Sequence, residues 1–212
     1  MICTSFGNID FQPLMSKLSA CEMAEIRLDL MKLSDNEVAE IFRSHPNLIA
    51  TCRPQAMGSD EQKRLLQMAI KNGAAFVDLE VESPISIKIE MMGLACQHGC
   101  RVIISYHNYE CTPSTNELHA IINLIIKEGA DIVKIATTVQ NKADAARILS
   151  LYEHYQSLVA LGMGDEGKIT RIASPLLGAP FTFAAPNTSK TAPGQMTDVE
   201  MSTIYKIIEG DA

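Results

Sequence analysis

One lysine stands inside an apolar run, Ala130-Asp131-Ile132-Val133-Lys134-Ile135-Ala136-Thr137, which follows a helix-ending Gly129. The run reads as a buried parallel strand. A buried ammonium is costly, so such a lysine loses its proton or finds a partner. As a neutral amine it attacks carbonyls. The plain alternative is a lysine that snorkels at a strand end or pairs with Asp131. Other reactive side chains gather at the ends of apolar segments: Glu25, Arg27 and Asp29 in alternation, Arg53, Asp78 with Glu80, Ser105-Tyr106-His107, and Met163. Arg171 lies further on, and Thr191 and Gln195 sit in a polar loop over 185–196. Each has a structural reading of its own. Glu25 with Arg27 makes an internal salt bridge, His107 a hydrogen-bonded structural histidine, and Met163 a core residue. An acid, a base, two arginines and a lysine at strand ends together point to a carbonyl-directed active site.

Those side chains need a frame. Apolar runs and alternation predict strands over 2–6, 24–29, 47–52, 75–80, 101–106, 130–137, 158–163 and 180–184. Helical spacing, caps and breakers predict helices over 11–20, 34–44, 59–72, 84–99, 113–129, 141–155, 166–176 and 197–209. Ser34 with Glu37 forms a capping box, Ser59 caps the third helix, and Pro84 and Pro113 open two others. Eight strand–helix repeats predict a (β/α)8 TIM barrel, one catalytic domain over 1–212, with catalytic residues at the C-terminal strand ends.

Composition limits the partners. With 212 residues, 47% hydrophobic and 20% charged, the chain can bury a large core. A net charge of −7, 5% aromatic residues and no Trp argue against nucleic acid. No apolar run approaches the ~20 residues of a membrane span, and residues 1–20 do not resemble a signal peptide. Cys3, Cys21, Cys52, Cys96, Cys100 and Cys111 are scattered, which predicts free thiols in a cytoplasmic protein. Cys96, His98 and Cys100 lack the second ligand pair of a zinc site, so no metal is expected.

In order and spacing, Glu25-Ile26-Arg27-Leu28-Asp29, Thr51-Cys52-Arg53, Val77-Asp78-Leu79-Glu80 and Ser105-Tyr106-His107-Asn108-Tyr109 resemble type I 3-dehydroquinate dehydratase. The match continues through Thr112-Pro113, Val133-Lys134-Ile135-Ala136, Arg171-Ile172 and Ala192-Pro193-Gly194-Gln195. The resemblance implies that Lys134 forms a Schiff base with the C3 ketone of 3-dehydroquinate. It makes His107 the base that takes a C2 proton and then serves the departing C1 hydroxyl in a syn elimination. Glu25 becomes the carboxylate that orients His107 and contacts substrate. Arg27 and Arg53 lie near substrate hydroxyls, Arg171 pairs with the C1 carboxylate, and Thr191 and Gln195 belong to a loop that closes over the site. It also implies a homodimer and no cofactor. The chain departs from the family in three places. Thr191 replaces a usual serine. Met57-Gly58-Ser59 stands where Glu-Gly-Gly is usual, which leaves Asp60 or Glu61 as substitute acids. The third is the N-terminal hairpin that plugs the barrel bottom in many members, which is not expected here because the chain starts directly at its first strand.

Two other functions compete. A class I aldolase on the same barrel would carry a glycine-rich phosphate cradle, to which Gly162, Gly164 and Gly167 hint. A silent binding module is disfavoured by the presence of both Lys134 and His107.

Overall fold

The computed structural model describes residues 1–53, 58–186 and 194–210. Among them, strand and helix alternate as β1 (Ile2–Phe6), α1 (Phe11–Leu18), β2 (Met23–Arg27), α2 (Asp35–Ser44), β3 (Leu48–Thr51), α3 (Ser59–Lys71), β4 (Phe76–Glu80) and α4 (Ile85–His98). The chain continues with β5 (Arg101–Asn108), α5 (Thr115–Lys127), β6 (Ile132–Thr138), α6 (Lys142–Ser150), β7 (Leu158–Met163), α7 (Lys168–Leu176), β8 (Thr182–Ala184) and α8 (Asp198–Glu209). The strands belong to one sheet in the order β7-β6-β5-β4-β3-β2-β1-β8. Sequential parallel strands, each followed by a helix, make the (β/α)8 barrel fold that the alternation predicts.

The chain divides into two compact units, Ser5–Ile104 and Met1–Thr4 with Ser105–Ala212. In the first, β2 pairs with β3 and β3 with β4, which sets Arg27, Thr51 and Asp78 in one row and Glu25 opposite Ile49. In the second, β6 pairs with β7, with Lys134 opposite Val159, and β1 pairs with β8, with Ile2 opposite Thr182.

Local chemistry accounts for most boundaries. The Ser34–Glu37 capping box is formed at α2, and α4 ends on Gly99 in the left-handed region at φ 68°. Several boundaries differ from the sequence reading, among them the helix predicted over 141–155, which ends at Ser150 before a 3-10 turn over Leu151–Glu153. Ser114, not Pro113, caps α5, because its hydroxyl accepts from Glu117 N and Glu117 reaches back in a second capping box. Gly58 is the N-cap of α3, and Ser59 lies inside the helix. The strand predicted over 24–29 stops at Arg27, and Leu28–Leu30 form a 3-10 turn. Asp29 therefore does not continue the alternation of Glu25 and Arg27. The fifth strand runs two residues past 106 and takes in His107.

The edge of β7 away from β6 is finished by side chains. Met163 O accepts from Val139 N at 3.0 Å, so Ala160 and Gly162, of the other parity, turn their N–H groups the opposite way. Ala160 N donates to the Tyr152 hydroxyl at 2.8 Å, and Gly162 N donates to Thr170 Oγ1 at 2.7 Å. Thr170 Oγ1 in turn donates to Gly167 O at 2.6 Å. Gly162 and Gly167 lie backbone to backbone, since a Cβ on Gly162 would come within 2.8 Å of Gly167 Cα. These glycines are explained by close packing, which removes the hint of a phosphate cradle. Thr170 is fully buried. Thr170→Val keeps its shape but leaves the Gly162 N–H without an acceptor. Thermal or urea unfolding should show a loss of about 1–3 kcal/mol, and an unchanged midpoint would contradict this account.

Candidate active site

In the unit Ser5–Ile104, the predicted residues are held by a charged network. Glu25, on β2, is buried, and its carboxylate accepts from Ser5 Oγ and from Thr51 Oγ1, the latter at 2.8 Å. Arg27, at the end of β2, pairs in bidentate fashion with Asp29 through Nε–Oδ1 at 3.0 Å and Nη2–Oδ2 at 2.6 Å. The salt bridge expected between Glu25 and Arg27 is thus replaced by one to Asp29, made possible by the 3-10 turn that brings Asp29 back. Burial opposes the charge of Arg27, but the Asp29 hydrogen bond and the nearby Glu25 outweigh it and raise its pKa.

Arg53 follows β3 and is 8% exposed. Its Nη1 and Nη2 each donate to Asp78 at 3.1 Å, and Nη1 lies 3.5 Å from Glu80. The guanidinium is desolvated, yet Asp78, Glu25 and Glu80 together raise its pKa. A planar fork on a planar carboxylate fixes orientation as well as charge. Gln62 Nε2 donates to Cys52 O at 2.7 Å and holds the backbone just before Arg53. Burial pushes the Cys52 thiol up to about 12, so it stays protonated. Met57 lies outside the described residues. Of the two substitute acids, Glu61 is engaged by Arg64 at 2.8 and 2.7 Å on the exposed face of α3, and Asp60 is exposed.

In the other unit, Lys134 occupies the middle of β6 and is 5% exposed. Its Nζ lies 4.2 Å from the ring centroid of Phe183 on β8. His107 is half-buried on β5, and its ring stacks on Tyr109 at 6.0 Å and 12°. The loop after β5 is tied to the tip of β6. Thr112 Oγ1 meets Thr137 Oγ1 at 3.0 Å and donates to Thr138 O at 2.9 Å, while Thr138 Oγ1 donates to Tyr109 O at 2.9 Å. These bonds fix the strand end bearing His107 against the strand bearing Lys134.

Arg171 falls in the first turns of α7 and is 2% exposed. Its Nη1 donates to Phe183 O at 3.2 Å, and its Nε has no partner among the described residues. Burial alone pulls its pKa down to about 10. Among the described residues, no acid offsets the desolvation of this guanidinium. Gln195 is buried after Gly194, whose backbone lies against Gly164 at φ 71°. The ends of the loop after β8 are joined by Ala185 N donating to Met196 O at 2.8 Å. Thr191 lies outside the described residues. Met163 is a core residue of β7.

Sequence reasoning missed Phe183 and left Asp78 without a role. Phe183 carried a weak signal, since Phe181-Thr182-Phe183 alternates in a short strand. Among the described residues, no cluster of three or more His, Cys, Asp or Glu is placed to hold a metal, and no helix is long and apolar enough to cross a membrane. The cysteines are free thiols.

Comparison with known proteins agrees with the arrangement. A 3-dehydroquinate dehydratase of Pyrococcus abyssi is 37% identical over 199 residues, covering 91% of this chain and 90% of its own. The type I 3-dehydroquinate dehydratase of Clostridium difficile superposes with a TM-score of 0.85 at 24% identity, over 100% of this chain and 92% of that one. The 3-dehydroquinate dehydratase of Aquifex aeolicus gives a TM-score of 0.84 at 25% identity, over 98% of each chain. The sequence model described as type I 3-dehydroquinase matches residues 10–212, and the chain belongs to that family.

Proposed function

We propose that this family member removes water from 3-dehydroquinate through an imine on Lys134. The family's reaction comes with membership: a carbon–oxygen lyase step of the shikimate pathway, acting on a small polyhydroxy keto acid. The observation that carries the imine reading is the place of Lys134, 5% exposed in mid-strand on β6 with its nitrogen against an aromatic face. A lysine so placed is withheld from water and presented to one carbonyl.

In this reading, Nζ of Lys134 adds to the C3 ketone, and the ketone oxygen leaves as water. The resulting iminium draws electrons from C2 and makes its proton acidic enough for imidazole. His107, on the neighbouring strand, takes that proton and returns one to the C1 hydroxyl as it departs. Hydrolysis then releases 3-dehydroshikimate and restores the amine. Arg171 receives the substrate carboxylate. Its buried guanidinium, with an unpartnered Nε, supports that role. Glu25, Arg27, Arg53, Thr191 and Gln195 contact the remaining substrate oxygens. One catalytic domain, a homodimeric assembly and a cytoplasmic location belong to the same proposal. The aldolase alternative has lost its glycine cradle to the packing of Gly162 on Gly167.

Borohydride added with 3-dehydroquinate should leave one reduced adduct on the peptide carrying Lys134, read by peptide mass mapping. An adduct on another lysine, or none from an active enzyme, refutes the imine. Lys134→Ala should lose most turnover with the fold intact by circular dichroism. His107→Ala should still accept the adduct but eliminate water at least ~10²-fold more slowly, the usual scale of a general base. Unchanged turnover would reassign His107 to structure.

Arg171 generates a linked stability prediction. Its pKa is depressed, to about 10, so at neutral pH the group is still charged, but the native state carries a desolvation cost that the unfolded chain does not. The cost is lifted only as pH rises through about 10 toward the unfolded value. An anionic ligand lifts it at pH 7. Arg171→Met removes that cost and should leave the unliganded melting temperature equal to or above the parent's. It should weaken substrate binding by roughly 30-fold or more, the scale of removing one partner from a buried charge pair. If product raises the melting temperature of Arg171→Met as much as that of the parent, Arg171 does not receive the carboxylate.

A further inference from the structure

Phe183 meets two cations of its unit, Lys134 and Arg171, with two different parts. Its ring lies under Lys134, with Nζ 4.2 Å from the centroid, and its carbonyl accepts from Arg171 Nη1 at 3.2 Å. The ring has little freedom to turn away. Phe183 is buried, and Phe181 meets it edge to face at 5.5 Å and 74°. The strand beneath it is held from both sides. Thr182 N donates to Met1 O at 3.2 Å, and Thr182 Oγ1 donates to Arg171 O at 3.0 Å. Lys134 is pinned in turn by the β6–β7 register opposite Val159.

The face of a benzene ring is the negative pole of its quadrupole and attracts a cation above it. The attraction acts on a charged nitrogen and is nearly absent for a neutral one. We propose that Phe183 is a positioning residue for the imine chemistry, whose ring face holds the Lys134 nitrogen and favours the states in which that nitrogen is positive. The inference rests on the imine reading of Lys134 and adds a residue to it.

The charge follows the chemistry. The amine, the ketone and one proton from solvent combine to an iminium and water, which places a positive charge on Nζ. Loss of the C2 proton to the base carries the electron pair onto nitrogen and gives a neutral enamine. Departure of the C1 hydroxyl with a proton returns the nitrogen to a cationic, conjugated iminium. The ring therefore favours the iminium on both sides of the elimination over the free amine. It gives no help to the enamine step, where the charge disappears. Its contribution belongs to imine formation and should be read in KM, leaving kcat little changed.

The test is a fluorination series on the full chain. Mono-, di- and trifluorophenylalanine at position 183 drain the negative face of the ring while nearly keeping its shape. Borohydride trapping at substrate below half-saturation should slow stepwise with each fluorine. The total should reach about 3- to 30-fold, the range expected for a cation over a desolvated ring. KM should rise by the same factor, with kcat close to the parent's and unchanged circular dichroism. Phe183→Leu should resemble the trifluoro form, and Phe183→Tyr should resemble the parent. Trapping indifferent to fluorine, with an adduct still formed by the parent, overturns the role of Phe183 alone. Absence of any adduct from an active parent overturns the imine reading and this inference with it.

Discussion

Among the described residues, Arg171 takes a guanidinium out of water with no acid to receive it, a demanding arrangement. It is 2% exposed, its Nη1 has only the carbonyl of Phe183, and burial alone drags its pKa to about 10. A charge so placed weakens the empty fold and is tolerated where function needs it. The surroundings are arranged around that burden. Thr182 Oγ1 and the Tyr205 hydroxyl both donate to Arg171 O, each at 3.0 Å, and fix the backbone from which the side chain projects. Thr170, one residue earlier, completes the edge of β7. Two consecutive residues of α7 thus serve β7 and β8 in turn.

Arg53 shows the opposite solution. It is buried almost as deeply, yet Asp78 takes it in bidentate fashion and Glu80 stands 3.5 Å away. Its charge is thus satisfied within the protein. Lys134 takes a third course, with an aromatic face beside its nitrogen. Three cations under similar burial are given an acid, a carbonyl and a ring.

The strand tips carry these groups because the loops beyond them are stitched down. Asn108 Oδ1 accepts from Glu110 N at 2.9 Å and Cys111 N at 3.0 Å, and Thr112 and Thr138 tie that turn to β6. A histidine and a lysine on adjacent strands keep their relation only if both tips are held, since small displacements at a reacting centre are expensive.

Much of this was legible in the sequence. The eight βα repeats, the buried strand around Lys134 and the capping box at Ser34 depend on local patterns of burial and backbone hydrogen bonding. Those act over a few residues, so a linear reading recovers them. The order of the motifs around His107, Lys134 and Arg171 was enough to resemble the right family. Only the tertiary structure decided the partners of the charges. Asp29 turns back on Arg27 because the chain leaves the strand at Leu28, and Asp78 reaches Arg53 across 25 residues of sequence. Phe183 meets Lys134 because β8 and β6 are brought into one packed unit, and Gly162 of β7 packs on Gly167 in the turn that follows. Desolvation and pairing depend on distance in space, and chain spacing carries no record of that distance.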